Sequence, residues 1–209
     1  MIYAEQGRTV EAEAMLKRAQ QGLQRLYGPE SIESLHMTRN LAVLYLRNGR
    51  MDEGEPIIRH LLQVYTKQYG PDHYYTIVGI LNLALCIQKQ GRLEEAKTML
   101  EQLLQRCTEE IASKGNRRYH FLLKSMWALA NILREQRQVN GAALWYTKAL
   151  FGHEEIFGKN HPDCQAIRKR ISSLEHESSI INPTNREIPT KEHEHIIELT
   201  IALAKLDAR

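Results

Sequence analysis

An all-α protein, built as an α-α superhelix of antiparallel helical hairpins and closed by a C-terminal capping helix, is the fold class the sequence predicts. Three observations predict it. Glycine-arginine pairs at Gly7-Arg8, Gly49-Arg50 and Gly91-Arg92 stand 42 residues apart. Tyr27-Gly28-Pro29-Glu30 returns at the same interval as Tyr69-Gly70-Pro71-Asp72, and the small residues Ala12, Gly54 and Ala96 each follow a Gly-Arg pair at the same distance. Between these marks the apolar residues fall at helical spacing, with Leu35, Leu41, Ala42, Leu44 and Tyr45 in one stretch and Ile57, Ile58, Leu61, Leu62 and Tyr65 in the next. A chain that repeats one helical hairpin grows by stacking, so its 209 residues need not divide into conventional domains.

Composition narrows the function classes. With 43% hydrophobic and 25% charged residues the chain can bury a core. A net charge of +3 is too balanced to argue for nucleic acid or an anionic membrane. Cys86, Cys107 and Cys164 lack metal-type spacing and read as reduced thiols. No apolar run reaches the ~18 residues of a membrane span and no signal pattern opens the chain, so a cytoplasmic location is expected by elimination.

Taken in order, the chain opens on a hairpin whose leading helix is mostly lacking, because Met1 lies just before the first glycine turn. The expectation is a fragment, a shortened product, or a face covered by another copy. The turn glycines suit the left-handed conformation that ends a helix, and Gly-Pro favours a break before the next one, so successive helices lie antiparallel. Ala42, Ala84 and Ala130 hold equivalent places where helices approach closely. Pro56, in the place of Ala14, predicts a local distortion. The fourth turn falls at Arg137-Gln138, after 46 residues rather than 42, with the extra residues in 111–119 and Ser113-Lys114-Gly115-Asn116 replacing the Gly-Pro turn. Phe157-Gly158-Lys159-Asn160-His161-Pro162 then restores the register. Residues 178–189, with Pro183 and Pro189, read as linker. Residues 190–209 form an amphipathic helix with a stripe of Ile196, Ile197, Leu199, Ile201, Leu203 and Leu206, read as a cap over the final hairpin, with a dimerisation or docking helix as the rival.

Asn40-Leu41-Ala42-x-x-Tyr45 and Asn82-Leu83-Ala84-x-x-Ile87, each followed by Gly-Arg and a small residue, resemble tetratricopeptide repeats. The long spacing, with Tyr69-Gly70-Pro71-Asp72-His73 and Phe157-Gly158-Lys159-Asn160-His161-Pro162, resembles the kinesin-light-chain type. The resemblance covers residues 1–177 as about four units, the first truncated. Trp127-Ala128-Leu129-Ala130 stands where the other units carry Asn before Leu-Ala, and Arg137 replaces the turn glycine, so those units are expected to pack differently. Arrays of this type are non-enzymatic scaffolds that hold acidic, tryptophan-bearing peptides, so the resemblance implies a protein or peptide partner.

No phosphate-binding loop, nucleophile elbow or zinc helix occurs, and neither a metal nor a cofactor is expected. His193 and His195 fall on different faces of a helix, which disfavours a shared metal. His73 and His161 read as turn or capping residues. Cys164, three residues after His161, lacks an orienting acid and occupies the slot of Thr76, so it reads as structural. The candidate site is instead a stripe on the leading helix of each hairpin, expected to line a concave groove. It comprises His36, Arg39, Val43 and Leu46, then Val78, Leu81, Leu85 and Gln88, then Lys124, Trp127, Asn131 and Arg134, with Lys169 beyond. Apolar side chains flanked by cations would take an acidic segment with an aromatic or leucine anchor. Some of these, Val43 and Leu85 above all, could equally be buried between helices, and the cations could be solvated surface. A severed sensor or oligomerisation region of a larger NB-ARC-type regulatory ATPase is the alternative, a homodimer through the first hairpin or the C-terminal helix is a further expectation, and an enzyme is disfavoured.

Overall fold

The hairpin turns are closed by one recurring set of backbone bonds. In the computed structural model, which describes residues 9–114 and 119–181, Arg50 N donates to the Tyr45 carbonyl at 3.0 Å, Arg92 N to Ile87 at 3.1 Å and Gln138 N to Leu133 at 2.8 Å. The residue before each donor is left-handed, with φ of 76° at Gly49 and 79° at Gly91. This is the glycine-ended helix stop, in which a positive φ lets the last carbonyls find donors. Arg137 adopts the same conformation, φ 60°, without being glycine. The departure from glycine therefore leaves the turn intact and is absorbed as local backbone strain.

Eight helices are present among the described residues: α1 (Thr9–Tyr27), α2 (Ile32–Arg47), α3 (Met51–Tyr69), α4 (Tyr74–Lys89), α5 (Leu93–Lys114), α6 (Tyr119–Glu135), α7 (Val139–Phe157) and α8 (Pro162–Ile181). The chain divides into two compact units, residues 1–96 and 97–209, the division falling inside α5.

In the first unit, α1 packs on α2, α2 on α3 and α3 on α4. Leu35, Leu61, Val64 and Tyr65 form a buried cluster, with Ile57 and Tyr75 packed against it. Ala42 and Ala84 are each 1% exposed, which fits their reading as close-approach residues. Pro56 lies within α3, which runs on without interruption; its ring faces solvent, so only the bond its missing N–H would have made is lost. In the second unit, α6 packs on α7 and α7 on α8, over Met126, Ala130, Tyr146, Ala149 and Ile167.

The chain enters α2, α4 and α8 through one device. Ser31 accepts from Ser34 N at 3.3 Å, His73 Nδ1 from Tyr75 N at 3.3 Å and His161 Nδ1 from Asp163 N at 3.3 Å, so both histidines act as caps. Behind each cap a second side chain bonds the turn glycine's carbonyl: Ser34 Oγ to Gly28 at 2.7 Å, Thr76 Oγ1 to Gly70 at 2.8 Å and Cys164 Sγ to Gly158 at 3.5 Å.

Two boundaries differ from the sequence reading. α5 runs through Lys114, so Ser113 and Lys114 extend a helix rather than form a turn. α8 continues to Ile181 and takes in 178–181, because no helix breaker precedes Pro183, whose ring disfavours helical geometry at the residue before it. The helix expected over 190–209, with His193 and His195, lies outside the described residues, as does the start of the first hairpin.

Candidate functional site

Within the first unit, α2 and α4 run side by side in one direction. Near their starts His36 Nε2 and the Tyr75 hydroxyl share a hydrogen bond of 3.1 Å, the rings meeting edge to face at 5.3 Å. Near their ends Lys89 Nζ donates to the Leu46 carbonyl at 3.4 Å. Between these ties stand Arg39, Val43, Leu81 and Gln88, all half-buried, and Leu85, 43% exposed. Val78 is half-buried on the same helix. Leu46 is different. It is 4% exposed, and its Cδ2 lies 3.2 Å from where a Cβ would stand on Gly54, so it packs the hairpin and drops out of the stripe.

Beneath this stretch lies an aromatic cluster that periodicity does not announce. Tyr65 stacks on Tyr75 at 5.4 Å and Tyr69 on His73 at 4.7 Å. Burial pushes the Tyr65 phenol up to about 12, against the pull of the nearby Arg39 cation. Burial and then Arg39 push the His36 imidazole below its ordinary value, which favours a neutral ring. Tyr75 was missed because it has no aromatic counterpart in the repeat register, where Glu33 and Asp163 stand.

In the second unit the α6 stripe is tied to α7. The Tyr146 hydroxyl donates to Asn131 Oδ1, and the Trp127 indole stands edge-on to His153 at 6.4 Å. His153 is 5% exposed, its Nδ1 bonded to the Ala149 carbonyl at 2.8 Å. Trp127 is half-buried, with Lys124 exposed one turn before it. Arg134 lies beside the Tyr146 hydroxyl, and its buried Nε has no hydrogen-bond partner. Lys169 is exposed on α8. The stripe thus falls into two clusters, one in each unit.

Cys164 is wholly buried and burial pushes its thiol up, the opposite of what a nucleophile needs. Among the described residues no group of three or more His, Cys, Asp or Glu side chains is placed to hold a metal. No described helix is long and apolar enough to cross a membrane.

Helical hairpins repeating in register define the class, an all-α protein of the α-α superhelix type. Two family models, each described as tetratricopeptide repeat, match residues 33–109 and 122–163. The chain belongs to the tetratricopeptide-repeat proteins. Among solved structures it is similar to a Podosopora anserina kinesin-light-chain protein of nearly identical TPR-like repeats, at 20% identity and a TM-score of 0.66 over 99% of this chain and 92% of that one. A glutamine-to-methionine variant of that protein gives 0.67 at the same identity and coverage. The fold is also similar to BtubC (BKLC) from P. vanneervenii, at 17% identity and a TM-score of 0.67 over 95% of this chain and 74% of that one. A search of curated proteins finds no match.

Proposed function

We propose that this chain is a non-enzymatic scaffold that holds an acidic peptide segment along its leading helices, with an aromatic or leucine side chain of the partner as anchor. Tetratricopeptide repeats as a class mediate protein–protein interaction. The observation that carries the finer reading is the α6 cluster. There a half-buried Trp127 lies between exposed Lys124 and half-buried Arg134. An indole left partly open gains from an apolar cover, and the cations on either side of it favour a carboxylate-bearing partner. Leu85, with Arg39 and Leu81, offers a second such place in the first unit. Three buried free thiols suit a reducing compartment, so the cytoplasm is part of the reading.

The test is fluorescence anisotropy with labelled peptides that carry one central Trp or Leu between Asp and Glu residues, beside controls with Lys in place of the acids. Binding of the acidic set, weakened about tenfold or more by Trp127→Ala and by Arg134→Glu, is expected. Equal binding of acidic and basic peptides, or affinity indifferent to both substitutions, overturns the assignment.

A further inference from the structure

In the first unit a titratable base and a cation stand one turn apart on α2. Both His36 and Arg39 are half-buried, and among the described residues Arg39 has no carboxylate partner. The imidazole is held from α4, where the Tyr75 hydroxyl shares the 3.1 Å bond with Nε2, and the Tyr75 ring is itself stacked on Tyr65 of α3. A phenol hydroxyl donates to the bare nitrogen of a neutral imidazole and accepts from the N–H of a charged one, so this tie holds in either state. With the phenol donating, Nδ1 carries the N–H, and among the described residues no hydrogen bond reaches it. In the repeat register Val78 and Lys124 take the place of His36, and Glu33 and Asp163 that of Tyr75. The second unit therefore has a lysine where the first has a histidine tied to a phenol.

We infer, resting on the acidic-partner reading above, that this corner is a proton-linked carboxylate site: an Asp or Glu side chain of the partner seats on Arg39 and the His36 Nδ1–H, and His36 takes up a proton as it does so. The groups facing His36 set the sign. From its own helix Arg39 opposes the proton and Glu33, less strongly, favours it. From α3 and α4 come the phenols of Tyr65 and Tyr75, and burial pushes the Tyr65 phenol up to about 12. α1 meets α2 at Thr38, which accepts from Gln20 at 2.7 Å. Thr38 lies roughly 200° around the helix from His36. In the free chain burial first and Arg39 second hold the imidazole below its ordinary 6.5, which leaves it mostly neutral near pH 7. A seated carboxylate cancels the repulsion from Arg39 and attracts the imidazolium, so the bound state holds its proton to higher pH. Between the free and bound values the complex binds more protons than the free chain, and affinity rises as pH falls through that window.

Isothermal titration of the full chain with the acidic, Trp-centred peptide, from about pH 7.5 to about pH 6 in buffers of differing ionisation enthalpy, counts the protons taken up. Affinity is expected to rise about three- to tenfold across that span, since one unit of pKa displacement is worth tenfold, with uptake of up to about one proton per complex. The peptide's own carboxylates titrate near pH ~4 and contribute little above pH ~6. His36→Gln keeps an amide for the Tyr75 hydroxyl but cannot titrate, so it should match the unaltered chain at the upper pH and stay flat below it. Lys124→Gln should weaken binding and leave the pH response in place. If His36→Gln disturbs α2, the His36 ring resonance followed by NMR in the unaltered chain still carries the test, its titration midpoint moving up when peptide is added. Binding without proton uptake, uptake that survives His36→Gln, or a His36 midpoint unmoved by peptide each overturn the proton link and leave the acidic-peptide reading standing. Absence of binding at every pH overturns both.

Discussion

One small side chain fixes the corner where α2, α4 and α8 begin, and three chemistries fill its place. Ser34, Thr76 and Cys164 each bond the carbonyl of the turn glycine six residues earlier. The hydroxyls make ordinary bonds of 2.7 and 2.8 Å, and the thiol a longer one. Thr76→Val should therefore destabilise the fold by about 1–2 kcal/mol, while Cys164→Ser should be tolerated, as thermal unfolding of the two variants would register. Lys148 poses the opposite problem. It is 5% exposed, its Nζ has no hydrogen-bond partner and stands 4.4 Å from the Trp145 ring centre, and burial pushes its pKa down to about 8. The unfolded chain holds that proton up to its ordinary 10.5, so the unfolded state binds more protons between pH 8 and 10.5 and stability rises with pH across that window. Lys148→Met should stabilise the fold by roughly 1–3 kcal/mol at pH 7 and flatten this rise, measured as denaturation midpoints at several pH values.

Helix ends, more than helix interiors, carry the repeat. Arg137 holds the left-handed position that glycine takes elsewhere, which costs an L-residue roughly 1–2 kcal/mol. Arg137→Gly should stabilise by about 0.5–1 kcal/mol after the larger unfolded-state entropy of glycine is subtracted, and urea titration would show a higher midpoint with an unchanged slope. Arg50 and Arg92, of the two described Gly-Arg pairs, have a role of their own. Arg50 bridges Glu13 on α1 and Glu53 on α3, and Arg92 bridges Glu55 on α3 and Glu95 on α5. These bonds, Arg50 first and Lys17 next, hold the Glu13 carboxyl down to about 2, so its contribution is complete above pH 4.5 and is lost as pH falls toward 2. The half-exposed arginines keep each pair's worth small. The sequence makes the glycine legible through its repetition, whereas one of each arginine's two carboxylate partners lies 37 residues away and emerges only on folding.

At the scale of the molecule, the stripe's cations set the salt response of the proposed peptide complex. Arg39, Lys124, Arg134 and Lys169 are exposed or half-buried, where added salt screens them. Affinity for an acidic peptide should fall as salt is raised from about 50 to about 300 mM. Arg39→Glu with Arg134→Glu should flatten that dependence, which isothermal titration across the series would measure, and a salt-independent affinity would contradict the role given to these cations.

The sequence by itself determined the class, the hairpin register and the chemistry of the turns, because a solenoid repeats its local signals and the cost of a left-handed residue or a helix cap is settled within a few residues of chain. It also carried the histidine caps and the structural reading of Cys164, through the Thr76 slot. Tertiary structure alone decided which stripe residues are available. Leu46 falls under Gly54 while Leu85, on the leading helix of the next repeat, stays 43% exposed, and Tyr75 joins His36 with no repeat counterpart to announce it. Burial depends on what the neighbouring helix presents, and one helix's periodicity records only its own faces.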